Sequence, residues 1–465
     1  MRIEQIYTGC LAEAAYYIES AGEAAIVDPM RECEPYLERA ARDGSQIKFV
    51  LETHFHADFV SGHLDLAAAT GAEIVYGPTA RPDFPIHLAK DGEYLRLGDC
   101  LIQVLHTPGH TMESVVYLLY DESGNPHALF TGDTLFIGDV GRPDLAVSSE
   151  LTKEDLAGYL YDSIQNKIMP LGDDLIIYPG HGAGSACGKN IGKELVDSLG
   201  HQKRMNYALR PGISKAEFIQ EVLGGILPPP QYFPKNAMLN KSGYAPFENV
   251  LSRGMQELHL AEFEQWMSDG ALVLDTRHKD AFAEGHIPGS IFIGIDGDFA
   301  PWVGTVIEQL QQPIVFVSDT GREKEVVTRL GRVGYDNCQG YLRGGFQTWA
   351  SAGLPVKCVR RVTVSDFASS KVMNKKQVLD LRRMAEYKAS HLGDAWNFPL
   401  DYLPKSLASL DKSQGYYLYC KGGYRSMIGA SVLMANGFED IVDIAGGWDA
   451  ISREAFVKEV PSSLG

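Results

Sequence analysis

At 465 residues the chain is too long for one ordinary core, and about two to four domains are expected. A formal net charge of -18 argues against nucleic acid or an anionic membrane as partner, while a local basic pocket is enough for a small anionic ligand. No apolar run approaches a membrane span, the first seven residues lack a signal-peptide core, and seven cysteines without C-x-x-C spacing fit reduced thiols, so the expected address is cytoplasmic.

Residues 1–28 alternate short apolar runs with turns and predict antiparallel strands ending at Val27-Asp28-Pro29. Residues 33–42 have helical spacing, with Tyr36, Leu37, Ala40 and Ala41 on one face. The run Phe49-Val50-Leu51 predicts a strand leading into Thr53-His54-Phe55-His56-Ala57-Asp58-Phe59. Two imidazoles and a carboxylate then leave one strand end, the alternating pair expected to point the same way, as a metal grip requires. An Ala-rich helix is predicted over 63–70, and short strands return over 73–105. Three later turns bring His110 in Thr107-Pro108-Gly109-His110, Asp133 in Thr131-Gly132-Asp133 and His181 in Pro179-Gly180-His181-Gly182. A lone His-x-His is usually an ordinary pair. Four segments of one design, each a Gly-containing turn after an apolar run, mark a metal site. Strands followed by helix, in two rounds, predict a four-layer αββα sandwich.

In this order the segments resemble the metallo-β-lactamase superfamily over about the first 250 residues. The superfamily pattern H-x-H-x-D-H feeds two metals, but here Phe59 stands in the place of the last His, and a phenyl ring has no lone pair to give. The second position would keep only Asp58 and His181 of its own, with Asp133 shared, so one metal is expected. Two imidazoles and a carboxylate with open positions left over suit non-haem Fe(II). The persulfide dioxygenase branch, which the chain resembles, implies His54, His110 and Asp133 as ligands of one Fe(II) per chain. His56, Asp58 and His181 would then stand behind them, His56 orienting bound water or substrate. A closed zinc site of His54, His56 and His110 is the rival geometry. Asp139-Val140-Gly141-Arg142 also resembles the family, with Arg142 expected as a loop anchor.

Small residues in Gly182-Ala183-Gly184-Ser185-Ala186-Cys187-Gly188-Lys189 bring Cys187 within reach of the metal pocket, where a thiol can relay sulfur. With no visible base it is more often a buried small hydrophobe. Lys189, Arg204 and Arg210 are candidates for gripping a carboxylate of a thiol carrier. Residues 224–250, rich in Pro and Gly, read as a Pro-stiffened linker.

Two copies of one unit follow. Val273-Leu274-Asp275-Thr276-Arg277 matches Val378-Leu379-Asp380-Leu381-Arg382, His286 matches His391, and Gly344-Gly345-Phe346 matches Gly446-Gly447-Trp448. These copies resemble rhodanese domains with parallel α/β sheets, giving the expected partition 1–250, 251–357 and 358–465. In the second, the strand Tyr416-Tyr417-Leu418-Tyr419 runs into Cys420-Lys421-Gly422-Gly423-Tyr424-Arg425 and then a helix. A thiolate there meets backbone N–H groups, a helix N-terminus, Lys421 and Arg425, so Cys420 is the expected nucleophile. Four residues separate Cys420 from Arg425, a smaller ring than the C-x5-R of phosphatases, which suits a terminal sulfur. The first copy has Ser318 in place of the thiol and Glu323 in place of Arg425, and reads as a spacer or docking platform.

The combination resembles persulfide dioxygenase–rhodanese fusions. It implies oxidation of a low-molecular-weight thiol persulfide by O2 to sulfite, with Cys420 moving sulfur between that pool and thiosulfate, in a homodimer or higher homo-oligomer. The alternatives are a zinc thiolester hydrolase of the glyoxalase II kind fused to a sulfurtransferase, against which Phe59 argues, and a non-catalytic sulfur sensor.

Overall fold

The structure is a computed structural model that describes residues 1–147, 149–371 and 376–454. The chain divides into two compact units, Met1–Glu248 with Gly331–Gly334, and Asn249–Leu330 with the chain from Tyr335 onward.

The first unit contains two six-stranded sheets. One runs in space in chain order through Arg2–Thr8, Glu13–Ser20, Glu23–Val27, Gln46–Leu51, Glu73–Tyr76 and His87–Leu88, antiparallel for its first three strands and parallel thereafter. The other orders Asp197–Ser198, Ile176–Pro179, Pro126–Gly132, Val115–Tyr120, Cys100–His106 and Tyr94–Leu97. Neighbouring residues on these strands separate into different layers, as a two-residue side-chain period demands. Tyr16, Leu51, Val75, Leu119 and Phe130 share the core between the sheets. Their chain neighbours Tyr17, Val50 and Ile74 meet Tyr36 and Leu66 of the helices Glu34–Asp43 and His63–Thr70. On the far face Leu118 and Leu129 meet Leu160 of Lys153–Ser163 and Phe218 of Lys215–Leu223. Both faces of each sheet are therefore covered, which is why these strands read as continuous apolar runs, and the layers are helix, sheet, sheet, helix as the alternation predicts.

The stretch read as a Pro-stiffened linker is instead mostly helical, with Phe233–Ser242 and Phe247–Gly254. Pro234 lies in the first turn of its helix, where the missing N–H has no helical partner to lose, so the proline starts the helix and does not break it. That helix also has a task. Asn240 donates to the carbonyls of His56 at 2.8 Å and Phe59 at 2.7 Å and accepts from the Ser61 N–H at 2.9 Å, clamping the histidine loop.

The second unit contains two five-stranded parallel sheets of identical strand order, Glu257–Leu258, Cys338–Leu342, Ile314–Val317, Leu272–Asp275, Ile291–Phe292, and then Arg360–Val362, Ile441–Ile444, Tyr416–Tyr419, Gln377–Asp380, Ala395–Asn397. The duplicated Asp-x-Arg closes each sheet in the same way. Arg277 pairs with Asp275 and donates to the Gly285 carbonyl; Arg382 pairs with Asp380 and donates to the Ser390 carbonyl. His286 stacks on Phe282 and His391 on Tyr387, and each ring also hydrogen-bonds that residue's carbonyl. The last expected segment continues to 465, and residues 455–465 lie outside the described ones.

Candidate metal centre and thiol loop

Strand Gln46–Leu51 delivers the histidine loop, and Asp28 from the end of Glu23–Val27 sets its first residues. Asp28 accepts from the Thr53 N–H at 2.7 Å and the Thr53 hydroxyl at 2.8 Å, and that hydroxyl lies 2.9 Å from His54 Nδ1. His54 Nε2 is thereby aimed at Asp133, 3.8 Å from Oδ2. His110 is oriented by its Nδ1 on the Arg142 carbonyl at 2.9 Å, which leaves Nε2 3.4 Å from the same oxygen. His110 Nε2 and Asp133 Oδ2 are buried with no hydrogen-bond partner. Buried polar atoms are rarely left so, and two such atoms facing each other beside a second imidazole fit a metal cation. His54, His110 and Asp133 thus bring three donor atoms within 4.8 Å of one another.

The electrostatics agree with that use. Burial, with the neighbouring His56 charge, holds His54 well below the ordinary imidazole value, and burial also lowers His110. Burial opposes the Asp133 charge, but His181 outweighs it and the carboxyl stays ionised. Two neutral imidazoles and a carboxylate are the protonation states a divalent cation needs.

His56 does not join them. Its Nε2 lies 3.0 Å from Asp28 Oδ1 and 3.5 Å from Glu52 Oε2, a separate group of donor atoms, while its ring stands 4.2 Å from that of His54. The two alternating histidines thus lie side by side, as expected, but their donor nitrogens serve different groups, and the closed set of His54, His56 and His110 is not among the converging donor groups of the described residues. Burial disfavours an imidazolium, yet Asp28 and Glu52 outweigh it and raise His56 well above the ordinary imidazole value, while burial lifts the Glu52 carboxyl to about 7. Phe59 closes this side, its ring 4.3 Å from that of His56.

Asp58, His181 and Cys187 form a second group of converging donor atoms. His181 Nδ1 lies 2.8 Å from Asp133 Oδ1 and its Nε2 2.7 Å from Asp58 Oδ2, so both ring nitrogens are engaged by carboxylates. Burial opposes the charge, but Asp133 and Asp58 raise His181 well above the ordinary imidazole value. Its turn approaches closely, since a Cβ on Gly180 would stand 2.8 Å from Asp133 Oδ1.

Cys187 is buried beside His181, its sulfur within 4.8 Å of donor atoms of Asp58 and His181, and burial with Asp58 and Asp133 pushes the thiol well up. Arg142 acts as the expected loop anchor, bonding Asp144 through two nitrogens and the Ala186 carbonyl. Lys189 is corrected as a substrate grip: its ammonium is held by the carbonyls of Glu221 and Gly224 and lies over the Tyr207 ring. Arg210 likewise pairs with Glu221. Sequence reasoning missed Asp28, Glu52 and Asn240. It also missed Glu13, wholly buried with both carboxyl oxygens unpartnered, whose backbone bridges to His181. An Asp between an apolar run and a proline was the available signal for Asp28, which the structure places in the left-handed region at φ 47°.

In the second unit Cys420 follows Tyr416–Tyr419 and precedes the helix Tyr424–Ala435. Its sulfur accepts from the Gly423 N–H at 3.2 Å. The Trp448 N–H donates to the Cys420 carbonyl at 2.7 Å, folding the Gly446-Gly447 turn onto the loop; a Cβ on Gly447 would stand 2.4 Å from that carbonyl oxygen. Lys421 is exposed. Arg425 is locked by Glu386 through two bonds of 2.7 and 2.8 Å, an ion pair that sequence reasoning did not foresee.

Residues 8–181 match the metallo-beta-lactamase superfamily, and residues 259–352 and 365–454 match the rhodanese-like domain. The hydroxyacylglutathione hydrolase GloC of Haemophilus influenzae is 30% identical over 188 residues, 36% of this chain and 83% of that protein. The mitochondrial persulfide dioxygenase of Homo sapiens is 31% identical over 161 residues, 34% of this chain and 59% of that protein. For this and several other curated relatives the chain spans less than two thirds of their own length. A metallo-beta-lactamase structure from Staphylococcus aureus superposes at a TM-score of 0.65 with 32% identity, over 74% of this chain and 98% of that one. The chain belongs to the metallo-beta-lactamase superfamily, with two rhodanese-like domains following the metal-binding one.

Proposed function

We propose that the chain oxidises a low-molecular-weight thiol persulfide to sulfite at one Fe(II) and exchanges sulfane sulfur between the persulfide pool and thiosulfate through Cys420. The observation that carries this reading is the buried, unpartnered pair His110 Nε2 and Asp133 Oδ2 converging with His54, beside a histidine motif whose last imidazole is Phe59. Iron held by His54, His110 and Asp133 would supply open positions for O2 and for the persulfide. The protein's own part is positional. Thr53 and the Arg142 carbonyl fix the two imidazoles by their Nδ1 atoms, and His181 holds the Asp133 oxygen that faces away from them. In the overall reaction RSSH, O2 and H2O give RSH, HSO3− and H+, with O2 taking the four electrons that the outer sulfur loses. The likeness to a named persulfide dioxygenase supports this, and rhodanese-like domains support the transfer step.

A second reading, a thiolester hydrolase, is favoured by relatives named hydroxyacylglutathione hydrolases at 30–33% identity. Phe59, which leaves a second metal one imidazole short, speaks for the first reading. Anaerobic purification with metal determination, followed by oxygen uptake with glutathione persulfide, tests it. One iron per chain and stoichiometric sulfite are expected. Two zinc ions per chain with thiolester hydrolysis and no oxygen uptake would replace this reading by the second.

A further inference from the structure

The loop cations around Cys420 are fewer than the sequence suggests, because Arg425 is neutralised by Glu386. The first repeat makes up the difference. The stem of Lys279 passes Gly423, its Cε 3.4 Å from where a Cβ on that glycine would stand, and the Gly423 N–H is the one that reaches the Cys420 sulfur. Lys279 is half-buried and has no hydrogen bond or ion pair among the described residues. The position equivalent to Lys279 in the second repeat is Met384, so that repeat has no cation of its own there.

The placement of Lys279 is built and not incidental. Tyr424, inside the loop, donates its hydroxyl to the Gly294 carbonyl at 2.7 Å, and its ring lies so close to Gly297 that a Cβ there would meet it at 2.3 Å. The Ser431 hydroxyl, on the helix that follows the loop, accepts from the Phe292 N–H at 2.9 Å. Asp280, next to Lys279, is bound by Arg361 of the second repeat at 2.5 Å, and Arg361 also reaches Asp443 at 3.3 Å. Arg361 thus bonds both carboxylates that Lys279 feels, and Lys279 makes no hydrogen bond or ion pair of its own to either.

We propose that Lys279 of the thiol-less repeat forms, with Lys421, an oxyanion subsite at the mouth of the Cys420 loop, which binds the sulfonate end of a sulfur donor such as thiosulfate. The proposal rests on the reading of Cys420 as the sulfur carrier. In the step it serves, the Cys420 thiolate attacks the outer sulfur of thiosulfate, the S–S bond breaks, and sulfite leaves with the electron pair, so no oxidant or reductant is needed. Lys279 holds the sulfonate in line and leaves the chemistry to Cys420.

Two measurements on the full chain separate this from the reading beneath it. Alkylation of Cys420 by anionic iodoacetate and by neutral iodoacetamide, read by peptide mass spectrometry, gives a rate ratio that needs no turnover. K279Q is expected to lower that ratio about fivefold, K279R to restore it, and salt to abolish the difference. In thiosulfate-to-cyanide transfer, K279Q is expected to raise KM about five- to tenfold with kcat within about twofold. An unchanged alkylation ratio in K279Q overturns the subsite, as does a loss confined to kcat. A wild-type chain that ignores thiosulfate while its alkylation ratio still depends on Lys279 supports the subsite and removes the sulfur-carrier reading alone.

Discussion

The two rhodanese-like repeats share a frame and differ in what occupies one backbone amide. In the second repeat the Gly423 N–H donates to the Cys420 sulfur; in the first the corresponding Gly321 N–H donates at 2.8 Å to the Glu323 carboxylate. The charges are exchanged as a set. Arg425 in the second has Glu386 as its partner, whereas the first has Glu323 at the arginine's place and Ala281 at the glutamate's. The first loop has thus filled its own anion cradle with a side chain, while Asp275, Arg277 and His286 keep the sheet closed as in its twin. Fold and chemistry separate cleanly here. The frame lies in buried polar anchors, while the loops differ at Cys420 against Ser318 and Arg425 against Glu323, with Glu386 against Ala281 on the helix beside them.

The largest effect expected is on the chemistry alone. Cys420→Ser should abolish persulfide formation from thiosulfate, a loss on the order of a thousandfold or more, with metal content and oxygen uptake unchanged. Steady-state transfer assays beside metal analysis check both halves. If transfer survives, the contrast between the repeats has been drawn at the wrong residue.

The frame should break equally in both. Asp275 and Asp380 are each buried against their arginines, so Asp275→Ala and Asp380→Ala each leave an unpaired buried guanidinium and cost about 3–5 kcal/mol. Peptide-resolved hydrogen exchange of the full chain, comparing Leu272–Asp275 with Gln377–Asp380, should show similar loss of protection in each. A much smaller cost in the thiol-less repeat would mean that its frame had also drifted.

The smaller test rebuilds the lost function. In a Cys420→Ser background, Ser318→Cys alone should give a thiol of ordinary reactivity, because Glu323 holds the Gly321 N–H. Adding Glu323→Ala frees that amide and removes a facing negative charge, raising the iodoacetamide rate of the introduced thiol about tenfold. Equal rates in the single and double variants would show that the carboxylate is not what silences the loop.

These contrasts also explain what was legible in the sequence. His54, His110, Asp133 and Cys420 stand out as candidates because metal ligands and nucleophiles must be particular residue types, here placed just after apolar strands. The alternation of the strands gives the four layers for the same reason. What the sequence hides is which partner claims each side chain. His54 and His56 look alike as text, and only the folded sheet shows that Asp133 faces the one while Asp28 and Glu52 face the other. Lys189 and Arg425 read as free cations until Glu221, Gly224 and Glu386 are seen against them. Asn240 is concealed by the prolines that make its helix look like a linker. Long-range polar pairing has no period, so it leaves no pattern.

The finest distinction between the repeats is the Arg425–Glu386 pair itself. Burial alone would raise the Glu386 carboxyl, but the two-pronged Arg425 guanidinium outweighs it and holds the group below the ordinary carboxylate range. A group titrating lower in the folded than in the unfolded chain adds stability that is fully present above its unfolded value, near pH ~4.3. That stability is lost as pH falls through the folded value. With a third of the Glu386 side chain exposed, solvent screening limits the pair to about 1 kcal/mol. Glu386→Gln should therefore lower protection of the helix Tyr424–Ala435 at pH 7 by about that amount, and the deficit should close on acidification below the carboxylate range. The first repeat, with Ala281 in the equivalent place, should show no such acid-dependent change in the same experiment. A deficit that persists unchanged in acid would mean that Glu386 supports the loop by shape and not by charge.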